Sequence, residues 1–264
     1  MSRGDWQPDQ YGRFEQQRAR PFWDLAGGIA VDPPIERAVD LGCGTGALTA
    51  QLATRLDAGE MVGIDNSPNM LASAAERADE RTGFEPGDIA TWTSVADHDL
   101  VFANASLHWV PDHAAVLARW IAALGPGGRI AVQVPANGDH ASHLASVAVA
   151  ETDPFLSAMG GSPPPDPVTA NVLTPEEYAT VLYELGVAEP EVQLRVYPHV
   201  FTSTEHVVEW TKGSSLTRFF KAMPEELHEP FLDAYRNELI ARVGHHEPYL
   251  YTFKRILMWG RLDR

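Results

Sequence analysis

The fold is decided by Val39-Asp40-Leu41-Gly42-Cys43-Gly44-Thr45-Gly46. A short apolar strand, Arg37–Leu41, leads into this stretch, and Leu48, Leu52 and Leu56 follow it at the spacing of four that gives a helix one apolar face. Glycines at a strand-to-helix junction let the backbone turn tightly and let a ligand come close to the main chain. The stretch therefore predicts the first βα unit of an α/β sheet, with a ligand site at the turn.

Beyond this unit, strand-like and helix-like segments alternate, which is typical of parallel βαβ units. Six further strands are predicted: Met61–Asp65, a weaker one before Asp88, Leu100–Ala103, Arg129–Val134, Val192–Thr202 and Tyr249–Met258. Helices are predicted from Ser67-Pro68, over Ala114–Leu124 and from Thr174-Pro175, where a cap residue precedes a proline. Residues 152–174 contain five prolines and predict an irregular loop. The fold class is therefore α/β and Rossmann-like, with seven strands and a helical lid, residues 203–248, inserted between strands six and seven.

Composition limits the function. The 264 residues are 44% hydrophobic and 21% charged, and no run approaches the ~20 apolar residues that span a bilayer. The first eight residues lack the apolar core of a secretory signal, and the single cysteine, Cys43, fits a reducing compartment, so we expect a cytoplasmic protein without a membrane role. The net charge of −16 argues against a nucleic-acid partner and requires a local basic cluster for any anionic metabolite.

The glycine-rich turn alone does not identify its ligand, because Gly42, Gly44 and Ala47 also satisfy the looser dinucleotide fingerprint, and a purely structural turn is a further alternative. Asp65 ends the second strand, where a carboxylate accepts hydrogen bonds from both ribose hydroxyls of an adenosine cofactor. Capping of the helix near Pro68 is its alternative role. Asp65 therefore indicates a ligand that contains a nucleoside but does not identify the cofactor.

Two later segments of the sequence help to distinguish between the possible cofactors. Gly87-Asp88-Ile89 follows the third strand, where Asp88 is placed to accept the exocyclic amine of adenine and Ile89 to pack on its ring. Asn104-Ala105-Ser106-Leu107-His108-Trp109 follows the fourth strand and has no counterpart in the dinucleotide fingerprint.

These residues resemble the motif series of class I S-adenosylmethionine-dependent methyltransferases. More narrowly, the chain resembles the trans-aconitate methyltransferase family, closely from residue 5 to about 137 and at isolated positions beyond. The stretches that carry the narrower resemblance are Trp6-Gln7-Pro8-Asp9-Gln10-Tyr11, Phe14, Arg18, Arg20-Pro21, Gly63 to Met70 and Phe102 to Trp109, with Tyr197, His199, Trp210 and Arg255 beyond them.

The resemblance implies S-adenosylmethionine as cofactor and a carboxylate of trans-aconitate as methyl acceptor. It implies a cofactor site formed by Tyr11, Arg20, Asp40, Gly42, Cys43, Gly44, Asp65, Asn66, Met70, Gly87, Asp88, Ile89, Asn104, Ala105 and Ser106. Its implied substrate residues are Trp6, His108, Trp109, Trp210, Lys212 and Arg255. The corresponding division is a cofactor-covering segment 1–30, a methyltransferase core 31–202 and 249–264, and a substrate lid 203–248.

An ionised carboxylate needs no general base, so no catalytic acid or base is obligatory. His108 is the possible exception, with pocket shaping or carboxylate binding as its alternative roles, and Trp109 is either a pocket wall or core. For a tricarboxylate the anion-binding donors are sought among the basic residues Arg18, Arg20, Arg195, Lys212, Arg218 and Arg255.

Several alternatives remain at this level. One alternative keeps the methyltransferase activity but has another small carboxylate, or a phenol- or quinone-like metabolite, as methyl acceptor. Two others change the class of protein: an NAD(P)-dependent oxidoreductase or a non-catalytic adenosyl-binding protein. No metal is expected, because the histidine pairs His140/His143 and His245/His246 lack further ligands at a recognised spacing. The sequence indicates no obligate protein partner.

Overall fold

The computed structural model describes residues 15–263, with side chains from residue 19 onward. In this part of the chain seven strands form one mixed sheet in the order β3-β2-β1-β4-β5-β7-β6. Strands β1 to β5 pair in parallel, and β7 runs antiparallel to β5. The strands are β1 Arg37–Leu41, β2 Glu60–Asp65, β3 Thr82–Pro86, β4 His98–Asn104, β5 Leu124–Pro135, β6 Val187–Phe201 and β7 Tyr249–Leu262. The prediction of seven strands is confirmed.

Of the described helices, one precedes β1, and the others lie in the connections between strands. The two longest connections, from β5 to β6 and from β6 to β7, each contain several helices. The helices are α1 Glu15–Gly27, α2 Ala47–Leu56, α3 Pro68–Ala75, α4 His113–Ala122, α5 Ala141–Ala150, α6 Phe155–Ala158, α7 Pro167–Asn171, α8 Pro175–Glu184, α9 His206–Lys212, α10 Thr217–Ala222 and α11 His228–Val243. None of the helices in residues 15–263 is long and apolar enough to cross a membrane.

The central strands are buried because the chain between them crosses over as helices. Ala38, Val39 and Leu41 of β1 are at most 2% exposed, as expected for a parallel strand covered on both faces. Leu52 and Leu56 of α2 are buried as their spacing predicts. The strand order reverses between β1 and β4, and at such a switch point a crevice opens beyond the carboxyl ends of the strands.

Helix α1 was not foreseen in the sequence analysis, which treated residues 1–30 as a covering segment. Phe22 of α1 packs edge-on against Phe102 of β4, with ring centroids 4.9 Å apart. Leu25 is fully buried, and its carbonyl accepts a 2.8 Å hydrogen bond from Nε1 of Trp259. The part of α1 around Phe22 and Leu25 is therefore packed on the sheet.

The proline-rich stretch is not irregular throughout, so that expectation was wrong in part. It contains α6, of four residues, and α7, of five. Pro154 is the N-cap residue of α6, and Pro167 is the first residue of α7. Proline is tolerated there because the first turn of a helix has no intrahelical partner for its N–H groups.

The chain divides into two compact units. Of the described residues, the first unit contains 15–135, Asn171–Arg195 and 255–263, and the second contains Ala136–Ala170 and Val196–Lys254. The second unit has its own core, in which Phe231 meets Phe155 and Phe219 at 5.2 Å between ring centroids. Residues 203–248, the proposed lid, fall within this unit together with residues 136–170.

Candidate active site

The site lies at the carboxyl ends of β2, β1 and β4, which are neighbours in the sheet. Asp65 and Asn104 are the last residues of β2 and β4, and Asp40 is next to last in β1. Because parallel strands end at the same edge, the sheet brings these three positions to one edge.

The glycine-rich turn is held against the two neighbouring strands. The backbone N–H groups of Gly42 and Cys43 donate to the carbonyl of Ile64 at 2.7 and 3.1 Å. Gly42 has φ +88°, and a Cβ there would lie 2.3 Å from Cβ of Ser106, so only glycine fits. Ser106 donates its hydroxyl to the Leu41 carbonyl at 2.6 Å. The segment after β4 therefore packs directly on the turn.

Gly44 marks the open side of this turn. It has φ +57°, and apart from Gly44 and its two chain neighbours no described atom lies within 4 Å of where its Cβ would stand. A main chain without a side chain, beside open space, leaves room for a ligand to contact the backbone.

Asp65 joins the turn to the next helix. Its Oδ2 accepts the Gly44 N–H and its Oδ1 accepts the Ser67 N–H, each at 2.9 Å. The N-cap of α3 is Ser67, whose hydroxyl oxygen accepts the Met70 N–H at 3.4 Å. Each carboxylate oxygen of Asp65 has a second lone pair, so Asp65 retains the capacity to accept ribose hydroxyls. Asn66 is exposed beside it, and Met70 is buried.

Asp88 and Ile89 form a compact turn after β3. Asp88 is exposed, and its Oδ1 accepts the Ala90 N–H at 2.9 Å. Ile89 is buried, and its carbonyl accepts a 3.0 Å hydrogen bond from Nε1 of Trp120. Gly87 precedes them, where a Cβ would come within 2.7 Å of the Ile64 side chain. The turn is thus fixed by α4 and β2, with the Asp88 carboxylate at the surface.

Asn104 has a polar neighbour that the sequence analysis missed. Asn104 and Gln133 are register partners on β4 and β5. The Asn104 Oδ1 and the Gln133 Nε2 are both buried without a hydrogen-bond partner in the described residues. Such orphaned atoms are rare in native proteins and call for a ligand or water. The available signal was one polar residue within the apolar run Ile130 to Val134.

Asp40 is buried at the base of the turn, 3% exposed. Burial raises its pKa to about 7, although the Thr49 hydroxyl, which donates to Oδ2 at 2.6 Å, opposes the shift. Burial also raises the pKa of the Cys43 thiol well above its ordinary range, with Asp40 and Asp65 adding to the effect. Cys43 is therefore a packed thiol rather than a nucleophile.

His108 and Trp109 lie in a short 3₁₀ turn, Leu107–Trp109, that follows Ser106. His108 is 7% exposed and Trp109 is 42% exposed, with their ring centroids 4.6 Å apart. The His108 carbonyl accepts a 3.0 Å hydrogen bond from the Asn171 side chain. Trp109 is thus at the surface and not in the core.

The remaining candidates are divided between the units. In the first, Arg20 is exposed and Arg255 is half-buried on β7 opposite Pro135 of β5. In the second, Trp210 is buried and Lys212 lies 3.9 Å from a carboxylate oxygen of Glu229. Trp6 and Tyr11 lie outside the described residues, as does the side chain of Arg18.

Arg195, another candidate for the anion-binding donors, already has partners. It pairs with Asp24 at 3.4 Å and lies over the ring of Trp259, at 5.7 Å from the centroid. Asp24, Arg195 and Trp259 line a surface cavity of about 410 Å³, together with Trp23 and Arg55. In residues 15–263 no three histidine, cysteine or acidic side chains are grouped to hold a metal ion.

The sequence is similar to that of named methyltransferases. Residues 38–128 match the family model described as a methyltransferase domain. The trans-aconitate 2-methyltransferase of Deinococcus radiodurans is 41% identical over 260 residues, which cover 96% of each chain. The enzyme of the same name from Mycobacterium tuberculosis is 36% identical, over 96% of this chain and 95% of that one.

A solved structure shows the fold. The phosphoethanolamine N-methyltransferase 2 of Haemonchus contortus, in complex with phosphomonomethylethanolamine and S-adenosylhomocysteine, superposes with a TM-score of 0.55 at 17% identity. The match covers 92% of this chain and 53% of the worm enzyme. The seven-stranded architecture is that of a class I methyltransferase.

Proposed function

Because the chain belongs to the trans-aconitate 2-methyltransferase family, we propose that it methylates a carboxylate of trans-aconitate with S-adenosylmethionine, giving a monomethyl ester and S-adenosylhomocysteine. The observation that carries this proposal is the 41% identity that extends over 96% of both chains. It includes the segments outside the methyltransferase domain match, residues 38–128.

The residues at the strand ends fit an adenosine cofactor. Asp65 has acceptor capacity left for the ribose, Gly44 leaves its backbone accessible, and the Asp88 carboxylate is exposed for the adenine amine. Asn104 offers a buried oxygen that has no partner in the described residues. Asp40, near the turn, supplies negative charge for a cationic amino group when it is ionised. Tyr11 and Arg20 complete the proposed cofactor site.

When bound, S-adenosylmethionine supplies a methyl group activated by its sulfonium: a carboxylate oxygen forms the C–O bond as the C–S bond breaks and sulfur keeps the electron pair. The negative charge of the acid and the positive charge of the sulfonium cancel, and no proton moves. The work of the protein is therefore to align the acid and exclude water.

No general base is needed, since a carboxylic acid with an ordinary pKa of about 4 is ionised at neutral pH. His108 is buried beside the exposed Trp109, which suits pocket shaping or a hydrogen bond to a substrate carboxylate. We assign Trp6, His108, Trp109, Trp210, Lys212 and Arg255 to the acid.

The proposal is tested by a substrate panel. The purified protein is supplied with S-adenosylmethionine and equal concentrations of trans-aconitate, cis-aconitate, citrate, monocarboxylates of similar size and a phenol, and release of S-adenosylhomocysteine is followed. We expect trans-aconitate to react fastest. Binding of S-adenosylhomocysteine but not NADH, measured by calorimetry, separates this reaction from that of an oxidoreductase. Faster methylation of a phenol, or of a monocarboxylate, would overturn the substrate assignment and leave the methyltransferase assignment in place.

A further inference from the structure

The second unit contains a buried cluster of charged side chains. Arg218 of α10 and His143 of α5 meet at one oxygen, Oδ2 of Asp166, each with a nitrogen 2.8 Å away. The side chains of these three residues are at most 10% exposed. The other oxygen, Oδ1, accepts the Val168 N–H at 2.9 Å, so Asp166 is satisfied on both sides.

The cluster holds Asp166 ionised. Burial by itself raises the pKa of this carboxyl, but the hydrogen bond from His143 and the positive charge of Arg218 outweigh burial and hold the pKa well below its ordinary range. On the far side of the histidine ring, the Asn137 side-chain nitrogen lies 2.9 Å from Nε2. Asn137, His143 and Asp166 thus form a relay of contacts that ends at Arg218 and fixes its position.

Arg218 uses only part of its donor capacity in this cluster. It contacts Asp166 through Nη1 alone, while its Nε and Nη2 are buried and have no hydrogen-bond partner in the described residues. The ring of Phe219 lies 4.3 Å from the guanidinium carbon and offers no acceptor in the guanidinium plane. The Ser215 hydroxyl, three residues earlier, is also buried without a partner in residues 15–263.

The unused edge is the one that recognises carboxylates. The N–H groups on Nε and Nη2 are parallel and match the two oxygens of a carboxylate, which is the bidentate geometry preferred by arginine. A guanidinium that served only to neutralise Asp166 would gain most by turning this edge to it. Leaving two charged donors buried and unsatisfied is costly, so the arrangement is expected to serve a ligand.

We propose that Arg218 binds a carboxylate of the acid substrate through its Nε and Nη2 edge, with Asp166 and His143 as positioning residues. This proposal rests on the proposed function for the identity of the acid. His143 and the Val168 N–H both donate hydrogen bonds to Asp166. The carboxylate is therefore not held by the guanidinium alone, and the Nε and Nη2 edge of Arg218 is left for a second anion. Ser215 supplies a further donor from the same segment of chain.

The test measures binding without turnover. The full-length protein, saturated with S-adenosylhomocysteine, is titrated with trans-aconitate by calorimetry. Three variants are compared with the parent: Arg218→Gln, Arg218→Lys and, as control, Arg236→Gln, which removes an arginine from an exposed ion pair with Asp233 on α11. Arg218→Lys keeps a cation beside Asp166 but lacks the bidentate edge, so it tests the proposal even where Arg218→Gln fails to fold.

We expect both Arg218 variants to bind trans-aconitate about ten- to a hundredfold more weakly. Their affinity for S-adenosylhomocysteine, and that of Arg236→Gln for both ligands, should stay within about twofold of the parent value. In turnover, the Michaelis constant for the acid should rise while that for S-adenosylmethionine stays constant, a split that a purely structural role would not produce.

Two outcomes would overturn the proposal: unchanged acid binding in folded Arg218→Lys, or an equal loss of affinity for both ligands. If the parent protein fails to bind trans-aconitate but binds another polycarboxylate with the same dependence on Arg218, the substrate assignment fails and the role of Arg218 stands. If the parent methylates trans-aconitate and the Arg218 variants bind it normally, the proposed function stands and Arg218 is excluded.

Discussion

Asp65 links the glycine-rich turn to helix α3 through two backbone hydrogen bonds of 2.9 Å. Asp65→Ala removes both and any contact with the ribose. We expect S-adenosylhomocysteine binding to weaken by roughly 1–3 kcal/mol, the cost of leaving polar partners unpaired. Titration calorimetry measures this effect. Glu60→Ala, which removes an exposed carboxylate at the other end of the same strand, is the matched control. Equal affinities of Asp65→Ala and the parent would count against the role of Asp65.

Asp40 makes the stability of the protein depend on pH. Burial raises its pKa from 3.8 to about 7, so its favourable contribution is complete below about pH 4 and is lost as the pH rises through about 7. Asp40→Asn keeps an acceptor for Thr49 and removes the buried charge. Without cofactor, the free energy of unfolding of this variant relative to the parent should increase by on the order of 4 kcal/mol from about pH 4 to about pH 8.

Denaturant titrations at several pH values measure that difference. Asp233→Asn, which removes an exposed carboxylate, controls for the loss of surface charge. If the difference in free energy of unfolding between Asp40→Asn and the parent is constant from about pH 4 to about pH 8, ionisation of Asp40 does not destabilise the folded protein.

At the scale of elements, α8 begins with a complete capping box. Thr174 Oγ1 accepts the Glu177 N–H at 3.2 Å, and Glu177 Oε2 accepts the Thr174 N–H at 2.8 Å. Thr174→Ala should lower the free energy of unfolding by about 1 kcal/mol. Thr174→Ser keeps the capping hydroxyl and should retain most of the stabilisation that the cap contributes. Thermal unfolding of the two variants measures the difference, and equal melting temperatures would contradict the capping role.

The N-terminal segment yields a second prediction for an element. Because α1 begins at Glu15 and packs on the sheet through Phe22, a deletion that tests cofactor covering must stop before this helix. Removing residues 1–14 takes away Trp6 and Tyr11, whose rings combine apolar bodies with polar tips. We expect turnover to be lost and the melting temperature to stay within a few degrees. A fully active deletion variant would refute the covering role.

The elements that the sequence predicted best are those with local signals. Strand β1 has its predicted bounds, Arg37–Leu41, and α8 begins at Pro175 as its cap and proline indicated. Helix α1 was missed because Pro21 lies inside it and proline normally ends a helix. Its stability comes from packing of Phe22 and Leu25, which no local pattern reveals.

The candidate site divides in the same way. The glycine-rich turn and Asp65 were predicted from the sequence, because closely spaced glycines and a carboxylate at the end of a strand are recognisable from neighbouring residues. Gln133 was missed, and among six basic candidates Lys212 and Arg255 were preferred to Arg218. The reason is that an orphaned donor is defined by its tertiary neighbours and not by sequence.

For the molecule as a whole, the charge of −16 makes capture of an anion depend on a few local cations. Arg195 is already paired with Asp24, and Lys212 lies 3.9 Å from Glu229. Arg218, although it contacts Asp166, has two donors left over in the described structure. Recognition of the acid therefore depends on few residues, and identification of the reaction product tests the proposed reaction most directly.

The product to identify is the one formed from trans-aconitate and S-adenosylmethionine with an isotope-labelled methyl group. After incubation with the purified protein, nuclear magnetic resonance and mass spectrometry identify where the label resides. We expect one labelled methyl ester per acid molecule, formed in equal amount with S-adenosylhomocysteine, and only with enzyme present. Consumption of S-adenosylmethionine without a labelled ester of trans-aconitate, or a labelled methyl group bonded to a carbon of the acid, would contradict this expectation.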